Sequence, residues 1–166
     1  MSVTFVLGGA RSGKSRYAEG LVSALPAPWI YVATGQAGDG EMRERIAEHQ
    51  ERRGPNWMTR EAPLRLAEAI TEAGGQPVLV DCLTLWVSNL MHADKDVGAA
   101  CDELSRVLNQ RQAETVLVSN EVGLGIVPDN ALTRRFRDEA GRVHQSLAKI
   151  ADRVVFMVAG LPMIVK

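Results

Sequence analysis

Apolar residues fall in five short unbroken runs along the chain: Val3–Leu7, Trp29–Ala33, Val78–Val80, Thr115–Val118 and Val154–Val158. Runs that are apolar at successive positions, rather than at alternate ones, predict parallel strands covered on both faces. The intervening segments have helical character. One helix is predicted from Ser15 to about Leu25 and a second over Glu41–Arg53. A third starts in its first turn at Pro63 and is stopped by Gly74-Gly75. A short helix fits Leu85–Met91. Val97, Cys101, Leu104 and Leu108 make an apolar stripe on another. After Pro128, Leu132, Phe136, Ala140, Val143, Leu147 and Ile150 recur at intervals of three and four, which predicts a long amphipathic helix. Strands alternating with helices imply right-handed crossovers and a mostly parallel sheet with helices on both faces. No repeat, low-complexity tract or linker divides the chain, so a single domain over residues 1–166 is expected. The loops 35–40 and 123–130 are the expected functional loops.

Composition narrows the function. With 19 Lys+Arg against 20 Asp+Glu the net charge is −1, which argues against a protein devoted to nucleic acid or an anionic membrane surface. Only Lys14, Lys95, Lys149 and Lys166 are lysines, and the arginine bias suits an anionic small ligand. The stretch Val154–Val165 is interrupted by Gly160 and Pro162 and is too short to span a membrane. The N-terminus lacks the basic leader and cleavage site of a signal peptide. Cys82 and Cys101 lie in apolar surroundings and read as reduced core residues, in keeping with a cytoplasmic enzyme.

The first chemical signal is Gly8-Gly9-Ala10-Arg11-Ser12-Gly13-Lys14-Ser15, which fits G-x-x-x-x-G-K-[ST] between a strand and a helix. The glycines let the backbone curl so that successive N–H groups face phosphate oxygens, and the helix adds the positive end of its dipole. Lys14 supplies a cation for the terminal phosphates, and the Ser15 hydroxyl can ligate Mg²⁺. Val78-Leu79-Val80-Asp81 ends a strand in a carboxylate, the expected second Mg²⁺ element. The guanine-reading N-K-x-D of GTPases is missing, and the strand-end Asp81 is followed by Cys82-Leu83-Thr84 rather than opening a D-x-x-G switch. Aromatic residues make up only 5%, against the interleaved aromatics of a nucleic-acid motor. A small-molecule kinase or transferase is left. On the predicted helix 41–53, Arg45, His49 and Arg52 are spaced i, i+4, i+7 and share a face. Flanking cations favour a neutral, nucleophilic imidazole and would stabilise a phosphoryl group on it. On chemistry alone, covalent phosphohistidine-type catalysis and a plain surface histidine both stay open.

Several segments carry a resemblance. The phosphate loop extended through Arg16, Ala33-Thr34, Glu41-Met42-x-x-Arg45-Ile46-x-x-His49, Trp57-x-Thr59-x-Glu61, Asp81-Cys82-Leu83-Thr84, Ser119-Asn120-Glu121-Val122-Gly123-x-Gly125-Ile126-Val127-Pro128 and Phe136-Arg137-Asp138-x-x-Gly141 occur in order. The chain resembles the bifunctional adenosylcobinamide kinase/adenosylcobinamide-phosphate guanylyltransferase family over essentially its whole length. The resemblance implies a recombinase-like phosphate-loop fold and two reactions. ATP or GTP phosphorylates adenosylcobinamide. GTP then transfers GMP to adenosylcobinamide-phosphate through a guanylylated histidine, giving adenosylcobinamide-GDP and pyrophosphate. His49 occupies the position of that nucleophile. Carried over position by position, the nucleotide site comprises Gly8 to Ser15, Ala33, Thr34, Gly35, Gln50, Glu51, Arg52, Arg53, Glu61 and Asp81, with Mg²⁺ at Ser15 and Asp81. A homotrimer is also implied. His144-Gln145 stands where members often carry Asn-Gln, and Asp81 stands where some have Glu. Glu121 fits a general base or a loop-fixing carboxylate equally. Trp57 and Trp86 read as packing residues before ligand platforms, and His92 as a surface residue near a helix end. A guanylyltransferase without kinase activity and a recombinase-type regulatory or motor ATPase are the alternatives.

Overall fold

A computed structural model describes residues 2–35 and 53–166. The elements in chain order are β1 (Val3–Gly8), α1 (Lys14–Ser23), β2 (Trp29–Ala33), β3 (Trp57–Glu61), α2 (Leu66–Glu72), β4 (Val78–Asp81), α3 (Leu83–His92), α4 (Val97–Gln110), β5 (Thr115–Asn120), α5 (Ala131–Ile150), β6 (Arg153–Val158) and β7 (Leu161–Ile164). The strands form one sheet in the order β3-β2-β4-β5-β1-β6-β7. Every pairing is parallel except β6 with β7.

All five apolar runs are strands of this sheet, and their alternate residues feed two cores. Phe5, Ile30, Val32, Val78, Val80, Leu117 and Val154 face α2, α3, α4 and α5, where Leu66, Ile70, Trp86, Leu104, Leu108 and Leu147 are buried. Val6, Tyr31, Leu79, Val116, Val118 and Val155 face the opposite side with Ala18 and Val22 of α1. Trp86 is a core residue whose Nε1 donates to the Leu64 carbonyl at 3.0 Å. Trp57 packs on Trp29 and Tyr31. Cys82 and Cys101 are free and buried.

The structure adds two strands that the apolar pattern does not predict. β3 is an edge strand, Trp57-Met58-Thr59-Arg60-Glu61, largely open to solvent, so its residues carry no apolar run. β7 contains Pro162, which is tolerated because this edge strand lies outermost in the sheet. It turns the broken apolar stretch 154–165 into a hairpin through Ala159 and Gly160. Helix α2 starts at Leu66 rather than at Pro63. The Pro63 and Leu64 carbonyls are taken by Asn89 Nδ2 and Trp86 Nε1 of α3 instead of helical N–H groups. Gly74, at φ +56°, follows α2 in the left-handed conformation that ends a helix. The predicted helix 41–53 falls outside the described residues except for Arg53, as do His49, Gln50, Glu51, Arg52 and the loop beyond Gly35.

Candidate functional site

The carboxyl ends of β1, β5, β4, β2 and β3 lie side by side, and register fixes what meets there. Gly8 pairs with Asn120 across β1–β5, Ala33 with Asp81 across β2–β4, and Ala33 with Glu61 across β2–β3. Asp81 and Glu61 therefore flank β2 two strand spacings apart, about 10 Å between backbones. Parallel α/β sheets bind ligands at this edge.

The phosphate loop rises from Gly8. Gly13 adopts φ +89° and caps α1, which begins at Lys14, so the free N–H groups of the first helical turn face the loop. Lys14 is largely buried and its Nζ donates to the Gly9 carbonyl at 3.0 Å, placing an ammonium group within the curl. Ser12 is also buried, and its hydroxyl has no hydrogen-bond partner. A buried hydroxyl left unpaired is costly. An oxyanion in the loop would satisfy it. Arg11 and Ala10 are exposed at the loop tip, and Arg11 has φ +54°.

Three supports hold this loop. The Glu121 N–H donates to the Gly8 carbonyl at 3.0 Å, and the Gly160 N–H to the Ser12 carbonyl at 3.0 Å. A Cβ on Gly13 would lie 3.3 Å from Gly160 Cα, so the β6–β7 turn buttresses the loop directly. The sequence gives no sign of this role, because Gly160 and Pro162 break the apolar stretch 154–165 and hide its second half as a strand that folds back on the first.

Beside the loop, Thr34 is entirely buried. Its hydroxyl donates to the Cys82 carbonyl at 2.6 Å and accepts from the Cys82 N–H at 2.8 Å. Thr34 thus ties the end of β2 to the turn after Asp81, with its side chain spent on backbone. Asn89 Nδ2 donates to the Thr34 carbonyl at 2.7 Å. Asn120 Nδ2 donates to Thr84 Oγ1 at 2.9 Å, and that hydroxyl lies 3.2 Å from the Cys82 thiol. Burial, and then the Asp81 carboxylate, push the Cys82 thiol up. Asn120 stands in the sequence within the family-matching segment Ser119–Pro128, whereas Asn89, inside an apolar helix, carries no signal there.

Tyr31 is buried on β2 with Arg53 stacked on its ring, the guanidinium carbon 3.4 Å from the centroid. Burial and then Asp81 push the Tyr31 phenol up, so it stays protonated. Arg53 Nη1 is buried without a hydrogen-bond partner, a second unsatisfied donor. Glu121 is half-buried and its Oε1 accepts from the Gly123 N–H, the loop-fixing contact. His144 lies under the same loop, its Nε2 2.8 Å from Ser119 Oγ, with its ring against Phe5. Burial holds the His144 imidazole below its ordinary range, while Glu121 acts weakly in the other direction.

Ser15 and Asp81 are both half-buried at this edge. Among the described residues no group of three or more His, Cys, Asp and Glu could hold a metal by itself. One hydroxyl and one carboxylate suit Mg²⁺, which keeps water and phosphate oxygens among its ligands, rather than a metal caged wholly by protein.

Comparison with known proteins agrees with this geometry. The profile of the "Cobinamide kinase / cobinamide phosphate guanyltransferase" family matches residues 4–165. The "Bifunctional adenosylcobalamin biosynthesis protein CobP" of Pseudomonas aeruginosa is 50% identical over 97% of this chain and 95% of its own length. The corresponding CobU protein of Salmonella typhimurium is 42% identical over 97% of this chain and 98% of its own. Among solved structures, the P4 protein of bacteriophage phi6 in complex with ADP aligns over 98% of this chain and 54% of its own, with a TM-score of 0.52 at 17% identity. That likeness extends the phosphate-loop NTPase architecture to this sheet. The chain belongs to the cobinamide kinase / cobinamide phosphate guanyltransferase family.

Proposed function

We propose that the chain carries out both reactions of its family, as a single domain, with its phosphate loop as the shared nucleotide cradle. The observation that carries this reading is a phosphate loop holding both a buried, unpaired Ser12 hydroxyl and the Lys14 ammonium group, at the sheet edge that also bears Asp81. Membership of the family takes the place of the motor alternative. In the kinase step the hydroxyl oxygen of adenosylcobinamide attacks the γ-phosphorus of ATP or GTP. The bond to the β-phosphate oxygen breaks, the nucleoside diphosphate leaves, and the hydroxyl proton passes to a base. Loop N–H groups and Lys14 hold the charge that spreads over the phosphoryl oxygens. Ser15 and Asp81 would hold Mg²⁺, which when bound neutralises charge on the β- and γ-phosphates.

In the transfer step an imidazole nitrogen of His49 attacks the α-phosphorus of GTP, and pyrophosphate leaves with the electron pair of the broken P–O bond. An oxygen of adenosylcobinamide-phosphate then attacks the same phosphorus and breaks the P–N bond, releasing adenosylcobinamide-GDP and free imidazole. Arg53, through its unsatisfied Nη1, and Glu61 belong to the nucleotide site, together with Ala33, Thr34, Gly35, Gln50, Glu51 and Arg52. For Thr34 the contribution is positional, because its hydroxyl is spent on Cys82. A homotrimer and a cytoplasmic location complete the reading. No described helix is long and apolar enough to cross a membrane.

Incubation with α-labelled GTP tests the proposal. Acid-labile, base-stable label on the protein is expected, lost in His49→Asn and on chelation of Mg²⁺, with phosphorylation of adenosylcobinamide retained in His49→Asn. Label that persists in His49→Asn, or no label in the wild type, refutes the transfer mechanism. Retention of both activities in Lys14→Ala refutes the shared cradle.

A further inference from the structure

His92 closes α3, and its Nδ1 lies 2.7 Å from the Ser88 carbonyl oxygen. A carbonyl can only accept, so Nδ1 carries the proton of this bond. In the neutral ring Nε2 is then the nitrogen with the free lone pair. Metal-ligating histidines are commonly prepared in this way, with one ring nitrogen donating to a backbone carbonyl and the other left for the metal. His92 is exposed and lines an open hollow of about 170 Å³, together with Ser88 and Met91 of α3 and Leu132, Thr133 and Phe136 of α5. The wall is apolar with two hydroxyls, and Leu132 is 58% exposed. The hollow is too small to enclose a macrocycle, and being open it leaves room for one to rest across its mouth.

Its place in the fold ties it to the reaction. Helix α5 begins just beyond the loop that leaves β5 at Asn120, in register with Gly8, and the Glu121 N–H bonds the Gly8 carbonyl. Helix α3 starts directly after Asp81-Cys82 and carries His92 about 13 Å along its axis. Asn89, one turn before His92, donates to the Thr34 carbonyl just past the carboxyl end of β2, so this end of α3 stays on the ligand edge of the sheet. Cobinamide differs from the finished coenzyme in having no nucleotide base below its cobalt, so that coordination position holds only water.

We infer that this hollow takes the lower face of the corrin ring and that His92 Nε2 ligates the cobalt in place of water. The exchange breaks one Co–O bond and forms one Co–N bond, with no electron transferred and no proton moved. His92 would then register the macrocycle so that its aminopropanol arm reaches the phosphate loop. This rests on the proposed function for the identity of the substrate. The Ser88 contact alone is also a helix-end cap, so the test must read the cobalt rather than stability.

The experiment uses the full chain with cob(II)inamide as a spin probe and adenosylcobinamide as substrate. Electron paramagnetic resonance of the bound probe is expected to show splitting by one nitrogen, altered when the histidines carry ¹⁵N. His92→Gln should lose the splitting and raise the KM for adenosylcobinamide about tenfold, with a much smaller change in kcat. In His92→Gly, added imidazole should restore the splitting. Probe that binds without nitrogen splitting, or splitting that survives in His92→Gln, overturns the inference. So does a His92→Gln variant that changes only the sedimentation of the protein, which would assign the hollow to a second copy of the chain. Failure of the wild type to bind or phosphorylate any cobinamide would instead overturn the proposed kinase function.

Discussion

Arg111 offers a sharp test of how this fold is held, because its guanidinium is buried with no carboxylate partner among the described residues. It sits just past α4 and holds three neighbouring segments. Nε donates to Thr115 Oγ1 at 3.0 Å, Nη1 to the carbonyls of Ile70 at 2.9 Å and Gly74 at 2.8 Å, and Nη2 to the Gln76 carbonyl. Burial pushes its pKa down, which reflects the cost of desolvating the cation. Arg111→Met keeps much of the volume and removes every donor. The Ile70 and Thr115 bonds are buried; losing the charged donor costs about 2–3 kcal/mol at the Ile70 carbonyl and about 0.5–1 kcal/mol at Thr115 Oγ1, which keeps its own bond to the Ala113 carbonyl. The Gly74 and Gln76 bonds are partly buried, so water can replace the donor and each costs about 0.5–1 kcal/mol. Relief of the desolvated charge offsets part of this, and the net loss is about 2–4 kcal/mol. For a domain of this size that corresponds to a fall in Tm of roughly 5–15 °C. Arg111→Lys, with a single ammonium, should recover about half. The assay is urea unfolding followed by circular dichroism, with kcat measured at a temperature where both proteins are folded. Arg111 lies beside the start of β5, at the edge opposite the phosphate loop, so kcat should be unchanged. A loss below about 1 kcal/mol, or full retention of stability in Arg111→Lys, would refute the reasoning.

Two further predictions concern the site. In Gly8→Ala the new Cβ would collide with Ser12 Oγ and stand 3.1 Å and 3.2 Å from the Cβ and carbonyl oxygen of Met157. The hydroxyl can rotate but the Met157 backbone cannot, so stability should fall by about 1–2 kcal/mol and Mg-nucleotide affinity, measured by calorimetry, by at least tenfold. Affinity within twofold of wild type would contradict the close approach. The second concerns His144, held neutral by burial. Its folded pKa lies below its unfolded one, so stability is fully present above the unfolded value, about 6.5, and is lost as pH falls from there through the folded value. Melting temperatures between pH 7.5 and 5 should therefore fall more steeply for wild type than for His144→Asn. Parallel curves would count against the assignment.

The sequence by itself determined the parallel core. Runs such as Val78–Val80 and Thr115–Val118 must be covered on both faces, and only crossover helices can do that. The same local logic exposed the phosphate loop, since a curl of N–H groups, a lysine and a hydroxyl at fixed spacing is a property of consecutive residues. The tertiary structure decided whatever depends on residues far apart in the chain. Thr34 matched the family motif, yet only pairing of β2 with β4 brings its hydroxyl onto the Cys82 peptide. Gly160 entered the site because an antiparallel strand containing Pro162 folds back on β6. Edge strand β3 escaped the apolar pattern because its open face does not demand apolar side chains, and β7, though apolar, escaped it because Gly160 and Pro162 interrupt its run. His92 stood in the sequence as a surface residue at a helix end. It gained a setting only when α5 packed Leu132 and Phe136 beside it, because a hollow between two helices has no linear signature.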